Sequence, residues 1–145
     1  MDDNKVLIAA EFYRIPNDVH ELTITDCEPL LPKKVPVVNN KVKTINAREF
    51  TLYTNGTTLN MLWDSLPMEL IHKFQYSVDG NKNLKLQMAG KGITEVNKTL
   101  FQNTLESISK AITYQKEIVL ASVINRESVT FVPDRFSYLI ELNYL

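Results

Sequence analysis

The residues of this 145-residue chain that could do chemistry are few: Cys27 is the only cysteine, and His20 and His72 are the only histidines. A nucleophile working through a base would have to draw on Cys27, or on one of the many serines and threonines, with one of these histidines. His20 and Cys27 stand at opposite ends of one alternating stretch. As ends of a strand they fall on opposite faces, about 23 Å apart along it, which is too far for a dyad. His72 lies beside Leu70 and Ile71, the setting of a structural or surface histidine. The carboxylates offer Glu21 with Asp26, Asp64 with Glu69, and Glu141. No spacing among them sets two acids on one wall of a cleft by local geometry, and solvated charges and helix caps account for them.

Metal and phosphate chemistry is equally thin. One cysteine precludes an intrachain disulfide, and a four-ligand zinc site would need ligands from elsewhere. Asp79-Gly80-Asn81 has the look of a calcium loop, but its glycine follows the acid at once and no glutamate stands at the twelfth position, so it reads as a turn. Gly90-Lys91-Gly92 precedes a helical pattern and could offer backbone N–H groups to a phosphate. Its spacing matches neither a P-loop nor a dinucleotide fingerprint. Asn55-Gly56-Thr57 and Asn97-Lys98-Thr99 match the glycosylation acceptor pattern, which carries no weight without a secretory signal. The sequence therefore assigns no catalytic residue, no cofactor and no metal ligand.

One cluster does suggest contact with a partner. Between positions 28 and 46 the chain carries Pro29, Pro32 and Pro36 together with Lys33, Lys34, Lys41 and Lys43. Proline fixes φ and removes a donor, so this stretch is expected to be an extended arm or sheet edge. Lys33, Lys34, Pro36, Lys41 and Lys43 are the candidate partner-contact residues, either touching an acidic surface or shielding an exposed edge strand. No aromatic residue is interleaved among them, so stacking on single-stranded nucleic acid is not signalled. The net charge of −1 and pI near 6.1 supply no broad positive field for nucleic acid.

The elements that must position these residues follow from hydrophobic period. The composition, 44% hydrophobic and 23% charged, is that of one folded domain over 1–145. Val6 to Ile15 reads as a strand, with its two alanines and Glu11 leaving a helix as the alternative, and His20 to Cys27 reads as a strand. Asn55-Gly56 between Arg48–Tyr53 and Thr57–Trp63 reads as a type I′ hairpin, with a helical start at Thr57 as the rival. Pro67 enters a short helix at about 65–72. Phe74, Tyr76 and Val78 lead into a second hairpin turn at Asp79-Gly80, answered by Leu84, Leu86 and Met88. Val96, Leu100, Phe101, Leu105, Ile108 and Ile112 define one long amphipathic helix over about 94–115. Ile118–Ile124, Ser128–Val132 and Phe136–Leu145 read as further strands, and no internal repeat stands out. The expected class is β-rich α+β, an antiparallel sheet or sandwich-like core with hairpins.

Ser65-Leu66-Pro67-Met68-Glu69-Leu70-Ile71 resembles the opening of F-box motifs, but it covers too little of the chain to imply a fold or partner. No apolar run approaches the ~20 residues of a membrane span. The expectation is a cytoplasmic, non-catalytic assembly protein that works through protein contacts, such as a subunit of a virion, phage or secretion machine. A soluble cytosolic binder or immunity-type inhibitor is the alternative. A small enzyme with a site built from distant residues is the third reading.

Overall fold

The computed structural model describes residues 19–25, 28–78, 95–124 and 129–141. Four strands form one sheet: β1 (Val19–Ile24), β2 (Ala47–Thr54), β3 (Lys73–Ser77) and β4 (Glu117–Ala121). Their order in space is their order in sequence, and every neighbouring pair is parallel. This overturns the antiparallel, hairpin-linked sheet expected from the sequence. Alternation of apolar and polar residues reports that one face is buried, and it is blind to strand direction. Direction is set by the connections, which run over 25–46, 55–72 and 78–116, each long enough for the dozen or more residues a parallel crossover needs.

The connections hold the helices. The first contains α1 (Val35–Thr44), whose Pro36 occupies the first turn, where the missing N–H has no partner to lose. The segment expected as an extended arm is thus helical over half its length. Val35, Val38 and Val42, spaced by three and four, bury one stripe of it. The second crossover holds α2 (Leu59–Leu62), continued by a 3-10 turn at Trp63–Ser65. The short helix expected at 65–72 therefore lies earlier, and 66–72 is a turn and an extended lead into β3. The third crossover carries α3 (Glu95–Thr113), the long amphipathic helix. Its end is closed by Gln115 at φ 55, with Gln115 N–H donating to Ile112 O and Lys116 N–H to Ala111 O, the pairing of a Schellman cap. After β4 come a 3-10 turn, Val129–Phe131, and α4 (Val132–Glu141). Strands were expected at Ser128–Val132 and Phe136–Leu145. Alternation takes in Phe136, Tyr138 and Ile140 but passes over Leu139; Val132, Phe136, Leu139 and Ile140 recur at four, seven and eight, the period of a helix stripe, and the helix forms.

The expected type I′ hairpin is absent for a definite reason. That turn needs positive φ at both central residues, and Gly56 has φ 75 while Asn55 is not in the left-handed region. Instead the Asn55 side chain accepts from Thr57 N–H and Thr57 Oγ1, an Asx turn that starts the chain toward α2. The strand expected at Val6–Ile15, the partner strand at Leu84–Met88, the Gly90-Lys91-Gly92 loop and Cys27 lie outside the described residues.

One face of the sheet is the core. Ile24, Leu52, Phe74 and Ile118 form a continuous row across all four strands. Leu52 and Phe74 are fully buried, in a cluster that also takes residues from α1, α2 and α3. All three crossovers therefore run over the same face, as a uniform crossover hand requires when order is sequential. Trp63 is buried in this layer, with its ring 6.0 Å from Phe74 and 5.1 Å from the exposed Tyr114, and Lys110 Nζ 5.0 Å over it.

Candidate functional site

The sequence-derived contact residues do not converge. Pro36 and Lys43 share the exposed stripe of α1, seven residues apart and so two turns along it. Lys33 and Lys34 precede the first turn, and Lys41 and Lys43 end the last one, where a cation suits the helix dipole. The basic stretch is thus split between two ends of a helix and forms no single patch.

At the carboxyl ends of the strands the polar groups satisfy one another. Glu28, 7% exposed, accepts from Leu30 N–H (3.0 Å) and Thr54 Oγ1 (2.8 Å) on Oε1, and from Asn55 N–H (2.7 Å) on Oε2. Thr104 Oγ1 donates to Asn55 O at 2.8 Å, and Tyr76 OH donates to Ser107 O at 3.1 Å. This network ties the β1 and β2 loops to α3. In open parallel sheets a ligand crevice arises where strand order reverses and helices change face. Sequential order has no such reversal, so this end of the sheet is a structural joint.

The two histidines are separated. His20 is exposed on β1, the first strand of the described sheet. His72 lies at the opposite end of the sheet from the Glu28 joint, where its Nδ1 accepts from Phe50 N–H at 3.2 Å and stands in for a ladder bond before β3 begins. Among the described residues, no group of three or more histidine, cysteine, aspartate or glutamate side chains is placed to hold a metal ion. None of the described helices is long and apolar enough to cross a membrane.

What remains is the second face of the sheet, which the core does not use. Register places Glu21 beside Glu49, then a row Thr23, Thr51, Lys73 and Glu117, then a row Tyr53, Gln75 and Val119. Lys73 Nζ meets Glu117 Oε1 at 3.0 Å. Thr51 Oγ1 donates to Glu21 Oε1 at 3.1 Å. The Glu117 hydrogen bond holds the Lys73 ammonium above its ordinary pKa, against the lowering effect of burial, and Glu21 and Glu49 add smaller pulls the same way. The face thus carries three carboxylates, one ammonium, a phenol and an amide. Sequence reasoning missed it because its residues sit at alternate positions of four strands spread over about a hundred residues. Only the register brings them side by side.

Parallel sheets are normally covered on both faces and built from near-continuous apolar strands. Here the pattern is half polar, and the class defined is a four-stranded parallel sheet with helical crossovers, apolar on one face and polar on the other. No protein-family model matches the chain, and no curated protein matches it either.

Proposed function

We propose that this chain is a non-catalytic contact protein that uses the polar second face of its sheet, through the exposed Glu21 and Glu117 and the partly exposed Glu49, Lys73 and Gln75, to meet a protein partner within an assembly. The observation that supports this reading is the composition of that face: Glu21, Glu49, Thr51, Tyr53, Lys73, Gln75 and Glu117 stand in register on rigid strands. Stacked strand-and-crossover units form extended surfaces of this kind, and coil-like proteins use them for binding. The excess of carboxylates over ammonium favours a partner that contributes cationic side chains. Nothing in the described fold ties the assembly to a virion, phage or secretion machine, so the proposal is the contact role alone.

The test is site-specific photo-crosslinking in the native cell. A photo-reactive residue at position 75, on this face, is compared with one at position 40, on the exposed side of α1. The reading expects a defined protein adduct from position 75 that disappears when Glu21 and Glu49 are both replaced by lysine. An adduct from position 40 alone, or one from position 75 indifferent to the charge reversal, would sink it.

A further inference from the structure

The Asn55-Gly56 pair, which starts no hairpin, has a chemistry of its own. Where glycine follows asparagine, the glycine nitrogen can attack the asparagine side-chain amide, because no side chain on the glycine hinders the approach. The bond from Gly56 N to Asn55 Cγ forms, the Gly56 N–H proton passes to solvent, and the Cγ–Nδ2 bond breaks to release ammonia. Water then opens the cyclic imide. Opening at Cγ leaves aspartate, whereas opening at the backbone carbonyl leaves isoaspartate, in which the chain runs through the side chain and is one atom longer.

In the folded chain the groups that must meet are held in place. The peptide unit joining the two residues is bonded on both sides: Gly56 N–H donates to Thr54 Oγ1 at 3.0 Å, and Asn55 O accepts from Thr104 Oγ1 on α3 at 2.8 Å. The side-chain amide is bonded as well, since Asn55 Oδ1 accepts from Thr57 N–H at 2.9 Å and from Thr57 Oγ1 at 2.7 Å. Behind them stands Glu28, which accepts from Thr54 Oγ1 and from Asn55 N–H. Ring closure turns the peptide unit and the side-chain amide toward each other, and the proton that the nitrogen must lose is the one donated to Thr54 Oγ1. The product also has no place in this joint. A Cβ at Gly56 would already come within 2.8 Å of Ser107 Oγ and 2.9 Å of the Tyr76 ring, so the turn has no slack for a longer backbone. Either product adds a carboxylate to a residue whose N–H the buried Glu28 carboxylate binds.

We propose that Asn55 is a self-modification site that the fold keeps closed, and that its conversion records opening of the Glu28 joint. Chains whose joint opens lose ammonia from Asn55, and the isoaspartate that follows keeps the joint from re-forming.

The test is incubation of the full chain at mildly alkaline pH, with residue 55 followed by mass spectrometry of peptides cut in acid. Loss of one ammonia marks the imide, and a hydroxyl in place of the amine marks its hydrolysis products. Conversion in the folded chain is expected to be about tenfold or more slower than in urea, because only the open fraction reacts. Thr54→Val removes both the bond to Gly56 N–H and the link to Glu28, and should raise the folded-state rate severalfold while leaving the rate in urea unchanged. Thr57→Val removes one bond to Oδ1 at the rim and should raise the rate where Thr54→Val costs the fold. Needing no variant, hydrogen exchange of the Gly56 amide gives the open fraction of the parent, and conversion should rise in proportion to it as urea is added below the unfolding transition. Converted chains, separated by charge, should unfold at a lower urea midpoint than the parent. Folded-state conversion as fast as in urea would show that the joint promotes the reaction and would overturn the proposal. So would a rate indifferent to both variants, conversion that does not follow Gly56 exchange, or converted chains that keep the parent midpoint.

Discussion

At the scale of single residues, Gly56 is the position least open to change. Its φ of +75 suits glycine, and a Cβ there would come within 2.8 Å of Ser107 Oγ and 2.9 Å of the Tyr76 ring. Left-handed strain and overpacking add, so Gly56→Ala should lower stability by about 3 kcal/mol, read as a drop in urea midpoint at unchanged slope. The sequence marked Gly56 as a turn residue, which it is, but tied it to a hairpin. The real constraint, close approach to an aromatic ring on the next strand, is tertiary and leaves no local signal. Lys73 gives a second prediction. Its folded-state pKa is raised, so its stabilising contribution is fully present below the ordinary lysine range and is lost as pH rises through the raised value. The difference in urea midpoint between parent and Lys73→Met should therefore hold through neutral pH and shrink in strongly alkaline solution. A constant difference would show that the ammonium is irrelevant and only the aliphatic stem matters.

At the scale of elements, α1 and α3 show the two ways in which sequence reads structure. The apolar period of α3 was plain over 94–115, and the helix is Glu95–Thr113. In α1 Pro36, with Pro29 and Pro32 before it, argued for extended chain, and the β-branched Val35, Val37 and Val38 add a local propensity that disfavours helix. Burial of Val35, Val38 and Val42 against the sheet outweighs that propensity, and Pro36 falls where a helix tolerates it. Truncating the stripe should reveal this: Val42→Ala, at a side chain 1% exposed, should remove about 2 kcal/mol, whereas Lys43→Ala next to it should stay within about 0.5 kcal/mol. The Schellman cap of α3 leaves room for improvement. Gln115 occupies the left-handed position that glycine fills most cheaply, and it is exposed. Gln115→Gly should therefore raise the thermal midpoint, by roughly 0.5–1 kcal/mol of added stability. A fall instead would mean that the glutamine side chain contributes more than its backbone strain costs.

At the scale of the whole molecule, the sequence revealed which residues are inside but not how the chain is wound. Leu22, Ile24, Phe50, Leu52, Phe74 and Tyr76 were all legible as one-face apolar positions, and they line the core. Whether they belong to hairpins or crossovers depended on reading 28–46 and 57–65 as helical, and the prolines and the Asn55-Gly56 pair pointed the other way. The polar face was invisible for the same reason, since it exists only once four distant strands are in parallel register. The core that results is a single layer, with Trp63 buried in it beside Phe74. The sole tryptophan should therefore report global unfolding: its emission should shift red in step with the loss of helical circular dichroism, with one midpoint for both. Two separated midpoints would show that the helical layer and the sheet lose order independently.

Sequential strand order also has a mechanical meaning. Among the described residues each strand is bonded to the strands that precede and follow it along the chain, and none is locked between two that are remote in sequence. A force applied to the outermost strands should unwind such a coil one strand-and-crossover unit at a time. The extension should then rise in successive steps, where an interleaved sheet would yield in one rupture.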